Sequence, residues 1–65
     1  MYKVISQLFI NKYAVLEINN EIPQKKYSHY LIDGKTYDCV PIYDFPKHIA
    51  IISDKSFVGK TVEFI

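Results

Sequence analysis

Residues 54–65 read DKSFVGKTVEFI. The triplet Gly59-Lys60-Thr61 is the end of a phosphate-binding loop, and such a loop would make the fold α/β. The full motif is G-x-x-x-x-G-K-[ST] between a strand and a helix, with backbone amides and the helix N-terminus holding the phosphate. Counting back from Gly59 puts the first glycine at position 54, which is Asp54. A carboxylate there repels phosphate. The residues after Thr61 (Val62, Glu63, Phe64, Ile65) begin as an alternating strand rather than opening a helix. The stretch is therefore read as a turn and a strand, with no nucleotide. Gly59 supplies a backbone conformation that other residues resist. Phe57 and Val58 seal one end of the core, and Lys60 is solvated.

Working back along the chain, strand signals recur and helix signals are weak, because β-branched and aromatic residues dominate. Asp33-Gly34 lies between "HYLI" and "KTYDCV". Asp-Gly between two β-rich runs is a hairpin signal, since a type I′ turn needs positive φ at both central residues. It separates strands at about Ser28–Ile32 and Lys35–Val40. Near the start, Tyr2–Ile10 and Tyr13–Ile18 read as strands joined at Asn11-Lys12. In the second, Ala14, Leu16 and Ile18 alternate around Glu17, as in a half-buried strand. "HIAIIS" and "TVEFI" supply two more. "NNEIPQKK" and "PIYDFPK" are loops: the asparagines tolerate left-handed backbone, and proline lacks a ladder amide.

Six short antiparallel strands make a meander, and closing it hides edges that would otherwise template pairing. The expected fold is all-β: one domain over residues 1–65, built as a six-stranded, mostly antiparallel, partly closed barrel of SH3-like or translation-factor type. The expected core is Val4, Leu8, Ile10, Leu16, Ile18, Ile32, Val40, Ile49, Ile51, Val62 and Phe64.

Composition limits the chemistry. The 65 residues carry eight lysines and seven acids, for a net charge of +1, and no arginine. Nucleic-acid binders draw their affinity from a basic excess, and arginine is the residue suited to bidentate phosphate contacts. Cys39 is the single cysteine. It cannot form an internal disulfide, and small secreted domains usually need several. With no leader-like cleavage site in "MYKVISQLFI" and no apolar run of about 20 residues, the expected location is cytoplasmic, away from any membrane. His29, His48, Cys39, Asp38 and Asp44 lack the paired spacing of a zinc site. Cys39 with a histidine is a conceivable nucleophile, but it lies in a strand with no oxyanion loop beside it. The expectation is a protein that is not an enzyme, with no metal and no cofactor.

Two surfaces remain. Ile42-Tyr43-Asp44-Phe45 resembles the A-L-Y-D-Y motif of SH3 domains, whose aromatics line a peptide groove. The chain has no tryptophan to complete that groove, so no SH3 binding residue is carried over. The loop still offers Tyr43, Phe45 and Pro46 as a contact for a protein partner or a second copy, since aromatic anchors dominate interfaces. The alternative is single-stranded nucleic acid on Lys25, Lys26, Tyr27 and Tyr30, with bases stacked on tyrosine beside lysine.

The segments "IDGKTYDCVPIYDFPKHIAI" and "FVGKTVEFI" resemble small uncharacterised β-fold proteins of Gram-positive gut bacteria and their mobile elements. The resemblance covers about half the chain. It implies a bacterial origin and a small β-fold, and it carries no activity and no site residues. The sequence thus points to a non-enzymatic interaction module.

Overall fold

Asp33 and Gly34 have φ of 54° and 79°, as a type I′ turn requires. They join strand β3 (His29–Ile32) to β4 (Lys35–Asp38). Asn11, with φ 55°, opens the turn between β1 (Tyr2–Ile10) and β2 (Tyr13–Ile18). Strands β5 (His48–Ile52) and β6 (Thr61–Phe64) follow. This is a computed structural model, and it describes every residue except Gln24, Pro41, Tyr43 and Asp44. Among the described residues there is no helix, and so none long and apolar enough to cross a membrane.

The six strands form one antiparallel sheet in the order β4-β3-β6-β1-β2-β5. This is not the expected meander. Two hairpins form locally, and the last strand inserts between them, pairing with β1 at Tyr2 and Lys3 and with β3 from Tyr30 to Ile32. β5 pairs with β2 rather than with β4. The end strands β4 and β5 share no ladder, so the sheet is not closed. One isolated bridge, Val40 to Ala50, links the segment after β4 to β5.

Inside the curl, Leu16, Ile18, Ile32, Ile49, Ile51 and Val4 are fully buried. Each contributes roughly 1.5–3 kcal/mol by leaving water. Phe64 centres an aromatic cluster, with Tyr2, Tyr27 and Tyr30 rings at 4.9, 5.0 and 5.5 Å in edge-on geometry. Such pairs add about 0.5–1.5 kcal/mol beyond area.

The core differs from expectation in β1. Val4 pairs with Ile18, but Ser6 pairs with Glu17, so Ile5 is an extra residue, a β-bulge. A bulge resets the strand's alternation. Directly paired residues share a face, and β2 turns Ala14, Leu16 and Ile18 inward. After the bulge their neighbours are Gln7 opposite Leu16 and Phe9 opposite Ala14. Leu8 and Ile10, expected in the core, pair with Val15 and Tyr13 on the outer face and are each 53% exposed. Val40 is half-buried at its bridge, not a core residue. At the end seal, Phe57 is buried and Val58 is exposed.

Candidate interaction surface

The outer face of β1, β2 and β5 is laid out by register in three cross-strand rows. Ser6, Glu17 and His48 form a polar row; Leu8, Val15 and Ala50 form the next; Ile10, Tyr13 and Ile52 form the third. Ser6 Oγ donates to Glu17 Oε1 at 2.7 Å, and Lys12 Nζ sits 5.6 Å from the Tyr13 ring centre. The two apolar rows lie between these polar margins. An interaction site commonly has this form: apolar at the centre and polar at the rim.

Ile42, Phe45 and Pro46 border one side. The His48 N–H donates to the Phe45 carbonyl at 3.1 Å, which tightens the turn into β5, and the Ile22 N–H donates to the Pro46 carbonyl at 2.9 Å. The Phe45 ring stands edge-on to His48 at 5.5 Å and remains 57% exposed. Leu8, Ile10, Val15, Ile42, Phe45 and His48 together line a groove of about 240 Å³. Buried His48 Nδ1 has no hydrogen-bond partner among the described residues.

Of the expected protein contact, Phe45 lines this groove and Pro46 is exposed beside it. Tyr43 lies outside the described residues. Leu8, Ile10 and Val15 are the members that sequence reasoning missed, because it placed Leu8 and Ile10 in the core. One signal was present: Leu8-Phe9-Ile10 is an unbroken apolar run, and in a strand such a run puts apolar side chains on both faces whatever the register.

The nucleic-acid surface does not assemble as expected. Lys25 and Lys26 are exposed, but Tyr30 is 3% exposed and packs on Phe64. Tyr27 is half-buried between them, 5.9 Å from Tyr30. Burial pushes both hydroxyls above the ordinary tyrosine range, Tyr30 the further. Tyr30 is a core residue here because its β3 position pairs with Phe64 on the inner face, and it offers no ring face to a base.

Three features resemble catalytic or ligand sites. Ser28 Oγ lies 2.9 Å from His29 Nδ1, and His29 Nε2 lies 3.2 Å from Asp38 Oδ1. The Asp38 side chain is 93% exposed, so water solvates the carboxylate and screens the pair. Cys39 is half-buried. Burial raises its thiol pKa, which a hydrogen bond from Tyr30 opposes and Asp38 reinforces. The reactive thiolate is therefore disfavoured. In the Gly-Lys-Thr stretch, the Gly59 N–H is taken by the Val4 carbonyl and the Lys60 N–H by the Phe57 carbonyl, both at 2.9 Å. Lys60 Nζ lies 3.7 Å from Asp33 rather than in solvent alone. Among the described residues no cluster of three or more His, Cys, Asp or Glu is placed to hold a metal.

No protein-family model, curated protein or solved structure matches this chain.

Proposed function

We propose that this protein is a non-enzymatic interaction module that binds a protein segment across the outer face of β1 and β2, with Phe45 as the anchor at the groove's edge. The observation that carries it is the outer-face pairing of exposed Leu8 with half-buried Val15 beside exposed Phe45. Soluble monomers rarely leave so contiguous an apolar patch uncovered unless it is functional. A single-stranded nucleic acid would rely on Lys25 and Lys26 without the Tyr30 ring. The unpaired thiol of Cys39 accords with a reducing, cytoplasmic setting. We also infer that the curled sheet is a partly closed barrel of SH3-like or translation-factor type, a reading supported by the Val40–Ala50 bridge and by the single core on its inner face.

The test is selection from a displayed library of extended peptides, with the chain and its Leu8→Ser, Ile10→Ser double variant as baits. Enriched peptides should carry apolar residues and lose at least tenfold in affinity on the variant, whose circular dichroism stays unchanged. Peptides that bind both baits equally would remove the proposal. So would affinity only for labelled oligonucleotide, falling steeply with salt.

A further inference from the structure

On the side away from β2, strand β1 is paired only over its first three residues. On the β6 side the ladder covers Tyr2 and Lys3. It is extended by Val4, whose N–H donates to the Lys60 carbonyl and whose carbonyl accepts from the Gly59 N–H, both at 2.9 Å. Beyond Val4 the chain of β6 turns away. Ile10 and Tyr13 flank a two-residue turn, so they form the hydrogen-bonded pair that closes the hairpin. Alternation then directs the backbone groups of Ile10, Leu8 and Ser6 to β2. It directs those of Phe9 and Gln7 the other way, where no strand pairs with them among the described residues.

This open edge lacks the usual protection. Natural edge strands carry lysine or proline that discourages pairing, and β4 at the end of the sheet has Lys35 and Asp38. The β1 edge from Ile5 to Ile10 has no charge and no proline, and Ile5, Leu8, Phe9 and Ile10 are all about half exposed. The Gln7 side chain holds Lys55 and Phe57, while the Gln7 and Phe9 backbone groups directed away from β2 make no backbone hydrogen bond among the described residues.

We propose that a second copy of this chain occupies the edge, β1 against β1, antiparallel about a two-fold axis. This rests on the protein-binding reading above and names its partner. The register follows from which groups point outward. Only Gln7 and Phe9 offer outward donors and acceptors, so centring the axis on Leu8 pairs Gln7 of each copy with Phe9 of the other and makes four hydrogen bonds. Centring on Gln7 or on Phe9 makes two. The Leu8 register sets Leu8 directly against Leu8 of the second copy on the outer face, and Ile10 against Ser6. No charged residue of β1 then meets a like charge, because Lys3 and Lys12 lie beyond the overlap. The net charge of +1 opposes association little. The half-exposed apolar side chains of β1 offer on the order of a few hundred Å² per copy. A standard stable interface uses about 800 Å² per partner. The expected dimer is therefore reversible, with a Kd in the micromolar range.

Sedimentation equilibrium over a concentration series tests it, with Leu8→Lys and Leu8→Glu measured alone and mixed. The two-fold places position 8 against itself, so each variant alone repels its own copy and association should weaken at least tenfold. An equimolar mixture should form the heterodimer again, which also shows that both variants fold. A native chain that stays monomeric throughout overturns the proposal, as does a mixture that associates no better than either variant. If such a monomeric chain still selects apolar peptides that Leu8→Lys loses, the second copy is the wrong partner and the protein-binding surface stands. If it selects none, both fail.

Discussion

The Phe57 N–H donates to Gln7 Oε1 at 2.7 Å, fifty residues away in sequence. The same amide donates from Nε2 to the Lys55 carbonyl, also at 2.7 Å. One side chain thus acts as a short strand for a turn that has none beside it, and it holds Phe57 where its ring packs on Tyr37 at 5.6 Å. Gln7 faces inward only because of the bulge at Ile5.

Replacing Gln7 by Leu should therefore destabilise the fold although it adds apolar volume at a partly inward position. The Phe57 N–H is partly buried, and leaving such a donor unpaired costs about 1–3 kcal/mol. The urea midpoint should fall by a matching amount. A midpoint that rises would mean that the apolar contact outweighs the amide bridge.

The bulge also makes Leu8 and Leu16 opposites. Leu16 is fully buried, and truncating it to Ala should cost about 2–5 kcal/mol. Leu8 is half exposed on the outer face, so Leu8→Ala measured in dilute protein should stay within about 0.5 kcal/mol. Equal losses at the two sites would restore the unbroken alternation and sink the bulge assignment.

This pair shows what was legible beforehand. β2 and the two hairpin turns follow from local chemistry: an alternating run, Asp33-Gly34, and Asn11 in a left-handed conformation. The six strands are therefore readable. The order of the sheet is not, because the insertion of β6 between β1 and β3 joins residues that are distant in sequence, and nothing in a strand's own alternation names its neighbour. The bulge is not readable either. Ile5 has no glycine or proline beside it, and Val4, Ser6, Leu8 and Ile10 fit a straight strand as well as a bulged one until Leu16 is known to face Gln7. Phe45 was accessible as a candidate contact residue through its loop composition, and it is exposed. Its neighbours Leu8, Ile10 and Val15 were not, since their exposure depends on that one extra residue.

At the turn before β6, Gly59 has φ 87°, and a β-carbon added there would meet nothing within 4 Å. The cost of Gly59→Ala is then backbone strain alone, about 1 kcal/mol, with no clash to relieve. Lys60→Ala removes an exposed pair with Asp33 at 3.7 Å. Such pairs contribute between nothing and about 1 kcal/mol, and less in salt. Thermal unfolding of both variants checks this. A loss at Lys60 that exceeds the loss at Gly59, or any nucleotide affinity that Lys60→Ala abolishes, would contradict the assignment of this stretch as a structural turn.

Tyr30 gives the fold an alkaline limit. Burial, then the hydrogen bond to Cys39, raises its pKa well above the ordinary value of 10.0. Burial and Cys39 also raise Tyr27, while its hydrogen bond with Tyr30 acts the other way. Each group is neutral when protonated and holds its proton more tightly folded than unfolded. Their contribution is therefore fully present below the unfolded pKa and is lost as pH rises through and beyond it toward the folded value. Stability should change little on their account at neutral pH and fall above about pH 9–10, as the unfolded chain begins to release these protons. Cys39, raised from 9.0 mainly by burial, adds to the same limb. Tyr30→Phe removes the largest contributor. Its urea midpoint should decline less steeply than native between pH 9 and about 11. Parallel alkaline limbs for native and Tyr30→Phe would show that the Tyr30 hydroxyl titrates as freely folded as unfolded.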